Sequence, residues 1–235
     1  MFVAAAFVPS PPLLVPELAG VDGDIAALRR AVGGVARTLG ERTRTWTVVA
    51  VGDRRQVLRP PHGGTFAGYG ADVRVELGTH SDGEVDPHVP LPALIAGWIR
   101  GTYAPHVDLD VHVVPADWTG ARAAEFGRSL RDTLTGDDGI LVVADGARTL
   151  TPRAPGAFDD RAPALQETVD AALTSGDREA LAALPAGTCA EIGMDGRVPW
   201  QVLAGAFATR SAPVAKTEYC AAPFGVGYHV GSWWP

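Results

Sequence analysis

Short β-branched runs alternating with longer helical patterns constrain this chain more than any other feature. Residues 45–51, 111–114 and 140–143 are short runs rich in β-branched residues and read as strands, the first of them buried. Between them, Ile25, Leu28, Val32, Val35 and Leu39 recur at three- and four-residue intervals and mark an amphipathic helix ending near Gly40. Leu91 to Tyr103, with Pro92 in its first turn, and residues 120–135 read as further helices. This order predicts βα units, and so an α/β fold: a single three-layer domain over residues 1–235, with a mainly parallel sheet flanked by helices. With 46% hydrophobic residues in 235, the chain can bury a substantial core. Helices are expected over 161–174, 178–184 and 198–208. Strands are expected over 2–8, 71–77 and 214–219, and a last one around His229. Residues 53–70, 79–90 and 145–159 read as loops, and loops of that length in a compact fold are commonly functional.

Composition narrows the partners. A net charge of -7 with lysine and arginine scattered singly offers no basic stripe for a phosphate backbone, so nucleic acid is not expected. The apolar run 2–8 is too short to span a bilayer and has no basic region before it, which favours a first strand over a signal peptide and the cytoplasm as the compartment. No membrane association is expected. Cys189 and Cys220 stand in no metal-like spacing and read as reduced thiols. Neither Gly63-Gly64 nor Gly225-Val226-Gly227 has the strand-to-helix glycine pattern of a nucleotide loop.

Directly after the first strand comes Pro9-Ser10-Pro11-Pro12-Leu13-Leu14-Val15-Pro16-Glu17. Prolines on both sides fix φ and remove backbone donors, so Ser10 is presented in one conformation at the carboxyl edge of the sheet, where open α/β sheets bind ligands. A serine nucleophile would need a G-x-S-x-G elbow, which Pro-Ser-Pro does not supply. This loop resembles the opening of the class III extradiol ring-cleaving dioxygenases, the family of the catalytic beta subunit of protocatechuate dioxygenase. The element order is similar over nearly the full chain. So are Val198-Pro199-Trp200-Gln201-Val202-Leu203-Ala204-Gly205-Ala206 and the Gly225-Val226-Gly227-Tyr228 ending. Ala154-Pro155-Gly156 with Phe158-Asp159-Asp160-Arg161 looks most like an actinobacterial branch of that catalytic-subunit family.

The resemblance implies Fe(II) held by two histidines and a carboxylate, with a further histidine as acid/base. Carried over one position at a time, the first ligand histidine falls on Ser10. The second falls on Asp53 and the acid/base on Thr149; the carboxylate falls on Gly196 or its neighbour Asp195. None of the three histidines is retained, so no cofactor is expected, with Fe(II) implied only if the family activity persists. Expected pocket residues at the strand ends are Ser10, Asp53, Arg54, Asp145 and His229. An alternative metal set is His62, His80 and His88 with Asp82, Glu84 or Asp86 as an oxygen ligand. His106 and His112 read as structural. Two functions follow from the resemblance: a dioxygenase whose ring-cleaving activity is lost or altered, or a non-catalytic module that binds a small molecule or protein on the same fold. The expected partners are a small aromatic ligand and, through self-association, a homo-oligomer.

Overall fold

The computed structural model describes all residues except Met1, Val3, Val21, residues 81–84 and Arg210. The chain opens with β1 (Ala5–Val8), α1 (Gly23–Gly40), β2 (Thr45–Gly52), β3 (Gln56–Leu58), β4 (Gly63–Thr65), β5 (Arg74–Glu76) and β6 (Val85–Asp86). There follow α2 (Leu91–Tyr103), β7 (Asp108–Pro115), α3 (Gly120–Thr133), β8 (Asp138–Val143), α4 (Ala162–Ser175), α5 (Arg178–Ala182), α6 (Ala186–Glu191) and α7 (Arg197–Ala206). The last two strands are β9 (Val214–Ala221) and β10 (Tyr228–Trp234). Asp22 starts α1 by accepting from the Asp24 and Ile25 amides at 2.8 and 3.2 Å, which satisfies two donors that the first turn would leave unpaired.

Seven strands form one sheet in the order β3-β7-β2-β8-β1-β10-β9. The four central strands are parallel, but β3, β9 and β10 pair antiparallel at the two sides. The sheet is therefore mixed rather than mainly parallel. The reason is the hairpin: β9 and β10 are joined by a short segment, and only an antiparallel pair can close so quickly. β4, β5 and β6 make a separate three-stranded sheet: β5 falls within the strand expected over 71–77, whereas β4 and β6 lie in segments expected to be loop.

Side chains alternate across the pleat, and both faces are apolar. Ala6, Val8, Val48, Ala50, Leu141 and Val143 pack under α1 and α2 with Leu28, Val32 and Ile95. Ala5, Phe7, Ile140 and Val142 face the other way, toward α4 and α7 with Val169, Leu173, Trp200 and Leu203. Burial on both faces explains why these strands carry continuous apolar runs. Among the described residues no helix is long and apolar enough to cross a membrane.

The topology splits the chain at one edge. β1 and β8 are hydrogen-bonded neighbours, yet β1 leads to α1 on one face and β8 to α4 on the other. Adjacent strands whose continuations leave for opposite faces open a crevice at their carboxyl ends. Ser10 and Asp145 stand two residues beyond those ends.

Candidate functional site at the ends of β1 and β8

Ser10 and Asp145, 135 positions apart, meet at the carboxyl ends of β1 and β8. The Ser10 amide donates to Asp145 Oδ1 at 2.8 Å and the Ser10 hydroxyl to Oδ2 at 2.5 Å, so one residue engages both carboxylate oxygens. Ser10 is 4% exposed. The proline-flanked loop supplies this geometry. Pro11 and Pro12 begin a 3-10 turn closed by the Leu14 amide on the Pro11 carbonyl, and Arg29 of α1 donates to the Leu13 and Leu14 carbonyls at 2.8 and 2.7 Å. The loop is thus tied to the helix that follows it.

Asp145 is held from its backbone as well. Its carbonyl accepts from the Gly196 amide at 3.2 Å, and the next residues zip onto the glycine-rich ending, Gly146 N to Gly227 O at 2.8 Å and Gly227 N to Ala147 O at 3.0 Å. A Cβ at Gly227 would meet the Gln166 side chain, which is why that segment is glycine. Burial lifts the Asp145 carboxyl above its ordinary range; the two Ser10 donors oppose this, and the charge of Asp195 adds to it. Burial, then the charge of Asp145, pushes the Tyr228 phenol up in turn.

The raised carboxyl has a consequence for stability. A carboxyl that binds its proton more tightly in the folded chain stabilises that chain fully at acid pH, and loses this contribution as pH rises through the raised value. Asp145→Asn cannot titrate, but its Oδ1 can accept from the Ser10 amide and its NH2 can donate to the Ser10 hydroxyl. We expect the variant to gain stability relative to the natural protein as pH climbs from acid to neutral, read from urea midpoints of the two proteins. A difference that is flat with pH, or that falls, would remove this account of Asp145.

The other expected site residues lie elsewhere. Thr149 is buried and its hydroxyl donates to the Ile192 carbonyl at 2.9 Å, so it is spent on holding the 145–159 loop against the segment after α6. Asp53 and Arg54 follow β2 at the same carboxyl edge but are exposed, and Arg55 lies over the Trp118 and Phe126 rings at 5.9 and 5.6 Å. Gly196 cannot be exchanged for a larger residue without movement, because a Cβ there would collide with the Asp145 carbonyl oxygen and sit 3.0 Å from the Trp200 ring. His229 does not join Ser10. It is one residue from Tyr228, so by strand alternation it faces α4, where its ring packs on Phe7 at 5.7 Å between centroids.

Nor do the loop histidines converge. His62 Nε2 lies 3.4 Å from Asp86 Oδ2, His80 Nδ1 bonds Thr79 Oγ1 at 3.2 Å, and the His88 amide donates to Asp86 Oδ1 at 2.8 Å. Asp82 and Glu84 lie outside the described residues. His106 bonds the Gly40 carbonyl at 2.9 Å and His112 lies 3.4 Å from Asp110. Among the described residues, the one set of three or more His, Cys, Asp or Glu side chains with ligand atoms close enough for a metal is Asp170, Cys220 and His229. Sequence reading missed Asp170 and its neighbour Gln166. The available signal was their four-residue spacing on a helix otherwise rich in alanine.

No family model matches the chain, and no curated protein matches it. Among solved structures, the fold is similar to that of the uncharacterized protein JW3007 from Escherichia coli K12, with a TM-score of 0.58 and 14% identity over 99% of this chain and 100% of that one. That likeness concerns the fold.

Proposed function

We propose that this chain is a small-molecule-binding relative of the catalytic chains of the class III extradiol dioxygenases that does not cleave aromatic rings. The observation that carries the reading is the Ser10–Asp145 pair at the ends of β1 and β8: Ser10 is the residue on which the resemblance puts the family's first iron ligand, and its hydroxyl is engaged by a carboxylate. Fe(II) does not fit the residues at the family's positions. The Ser10 hydroxyl is spent on Asp145, the Thr149 hydroxyl on the Ile192 carbonyl, and Gly196 has no side chain to offer and no room for one. Neutral hydroxyls with scattered carboxylates make a hard oxygen set, without the two imidazoles that suit ferrous iron. The rings of His62, His80, His106, His112 and His229 each lie against a group elsewhere, and His88 stands beside Asp86, to which its amide donates.

The divergence of the chain after β1 and β8 supports the binding half of the proposal, since strand ends of that kind gather polar groups beside apolar walls. Asp145 is the acceptor there, and a small hydroxylated aromatic is the ligand class it suits. Anaerobic titration with ferrous iron is expected to give no site tighter than the low-micromolar range, and oxygen uptake with a panel of catechols none above background. Catechol binding by calorimetry is expected to weaken about tenfold in Asp145→Ala, the loss of one hydrogen bond. Ring cleavage by the natural protein, or a tight ferrous site abolished by changes at Ser10 and Asp53, would overturn the reading. Unchanged catechol binding in Asp145→Ala would overturn the placement of the ligand.

A further inference from the structure

Beneath α4, away from the crevice, three different ligand types meet. Cys220 and His229 are direct partners across the antiparallel β9–β10 ladder, so their side chains leave the sheet on one face. Asp170 of α4 lies over them. One ligand atom from each residue falls within 4.8 Å of the others. His229 Nδ1 stands 2.9 Å from Asp170 Oδ1, and its side chain is 2% exposed.

The surroundings of these groups are arranged as well. His229 Nε2 lies 3.1 Å from the Thr217 hydroxyl, which in turn bonds the Thr174 hydroxyl at 3.1 Å. The Gln166 amide donates to Asp170 Oδ1 at 3.0 Å, and its oxygen accepts from the buried Ala147 amide at 2.8 Å. Imidazole and carboxylate are therefore each oriented by a second group, the arrangement that fixes ring direction and ligand basicity at metal centres. Asp170 borders a shallow hollow of about 570 Å³ with Gln166, Glu167 and Thr174, and Cys220 is exposed to solvent.

We propose that Asp170, Cys220 and His229 form a site for a divalent cation of the zinc class. Mixed sulfur, nitrogen and oxygen donors select such a borderline ion over Mg²⁺ or Ca²⁺, which require oxygen. Donors around a tetrahedral Zn²⁺ lie roughly 3–4 Å apart, given bond lengths of about 2.0–2.3 Å, so the thiol has to move by about an ångström at most. Binding exchanges protons for the ion. In the ion-free site the imidazole proton lies on Nδ1, where the Asp170 carboxylate accepts it at 2.9 Å; on binding, exchange with solvent moves that proton to Nε2, where Thr217 accepts it, and frees Nδ1 for the metal, while the thiol loses its proton to solvent as the metal–sulfur bond forms. Three protein ligands leave a fourth position for water.

The test uses cobalt as a visible stand-in. Co²⁺ added anaerobically to the chelator-treated, untagged full chain is expected to give a thiolate-to-metal absorption band in the near ultraviolet, displaced by one equivalent of Zn²⁺. Cys220→Ser, on an exposed edge strand, is expected to abolish the band, and Cys189→Ser to leave it intact. Gln166→Ala is expected to weaken Zn²⁺ binding by about tenfold or more. Absence of the band, or its persistence in Cys220→Ser, overturns the site. Far-ultraviolet circular dichroism verifies that each variant is folded. The cobalt band and its loss in Cys220→Ser do not depend on the Ser10–Asp145 pair.

Discussion

Gly205→Val is expected to cost about 3 kcal/mol or more, and Gly127→Val a similar amount, measured as the loss in urea-unfolding free energy. Both glycines lie where α3 and α7 cross. A Cβ at Gly127 would collide with the Val202 carbonyl and stand 2.8 Å from the Ala206 amide, while one at Gly205 would meet Ala124 Cα at 2.7 Å and collide with its carbonyl. The obstacles are backbone atoms on both sides, so rotamer changes cannot relieve them and the helices have to separate. Separation would uncover Val198 and Val202, which pack with Val49, Val114 and Trp118. Gly34 supplies the control. It sits within α1 with nothing near its absent Cβ, so Gly34→Ala is expected to stabilise by about 0.5–1 kcal/mol through helix propensity alone. Wild-type stability in both valine variants would mean that the α3–α7 contact is looser than the geometry states.

Such crossings are hard to read from a sequence. The α1 helix was legible because one apolar stripe at helical spacing faces the sheet, and its bounds follow that stripe; α2, buried without a break from Ala93 to Arg100, was legible from its apolar run and the proline in its first turn. The central strands were legible from their short β-branched runs. By contrast, β4 is built on Gly63 and Gly64, whose lack of side chains carries no periodicity; a Cβ at Gly63 would stand 2.9 Å from the Val75 carbonyl, so backbone proximity defines that strand. The short α6 contains Gly187 and Thr188, weak helix formers, and is fixed by tertiary packing around Cys189. At the candidate site, chain order placed Ser10 and Asp145 at strand ends, but their pairing depends on β1 lying beside β8, a register set by the whole sheet. His229 was expected beside them because it stands at a strand-to-loop junction, and β10 does begin next to the carboxyl end of β1. Pleat parity sends it to the opposite face, and a one-residue difference in register decides that.

Arg197→Ala is expected to cost about 3 kcal/mol, although this arginine forms no ion pair among the described residues. Arg197 is 5% exposed, and burial lowers its pKa despite the opposing charges of Cys189 and Asp117. Its guanidinium spans three acceptors: Nη1 donates to Gln201 Oε1 at 2.8 Å, and Nη2 donates to the Ala116 and Trp118 carbonyls at 2.6 and 2.9 Å. Truncation leaves two carbonyls and a buried amide oxygen without donors, and each orphaned group costs about 1–3 kcal/mol before any relaxation or entry of water. Arg197→Lys is expected to recover only part of the loss, because one ammonium cannot reproduce the planar fork across both sides of the contact. The effect should reach the crevice. Arg197 ties the loop after β7 to the first turn of α7, and the residue before it, Gly196, donates to the Asp145 carbonyl at 3.2 Å. Freeing that turn removes one of the anchors that keep Asp145 against Ser10. Hydrogen exchange of the Gly146 and Gly227 amides, which zip the two loops together, is therefore expected to rise in Arg197→Ala more than exchange in α1. Uniform acceleration across the chain would mean that the arginine contributes to global stability without positioning the crevice.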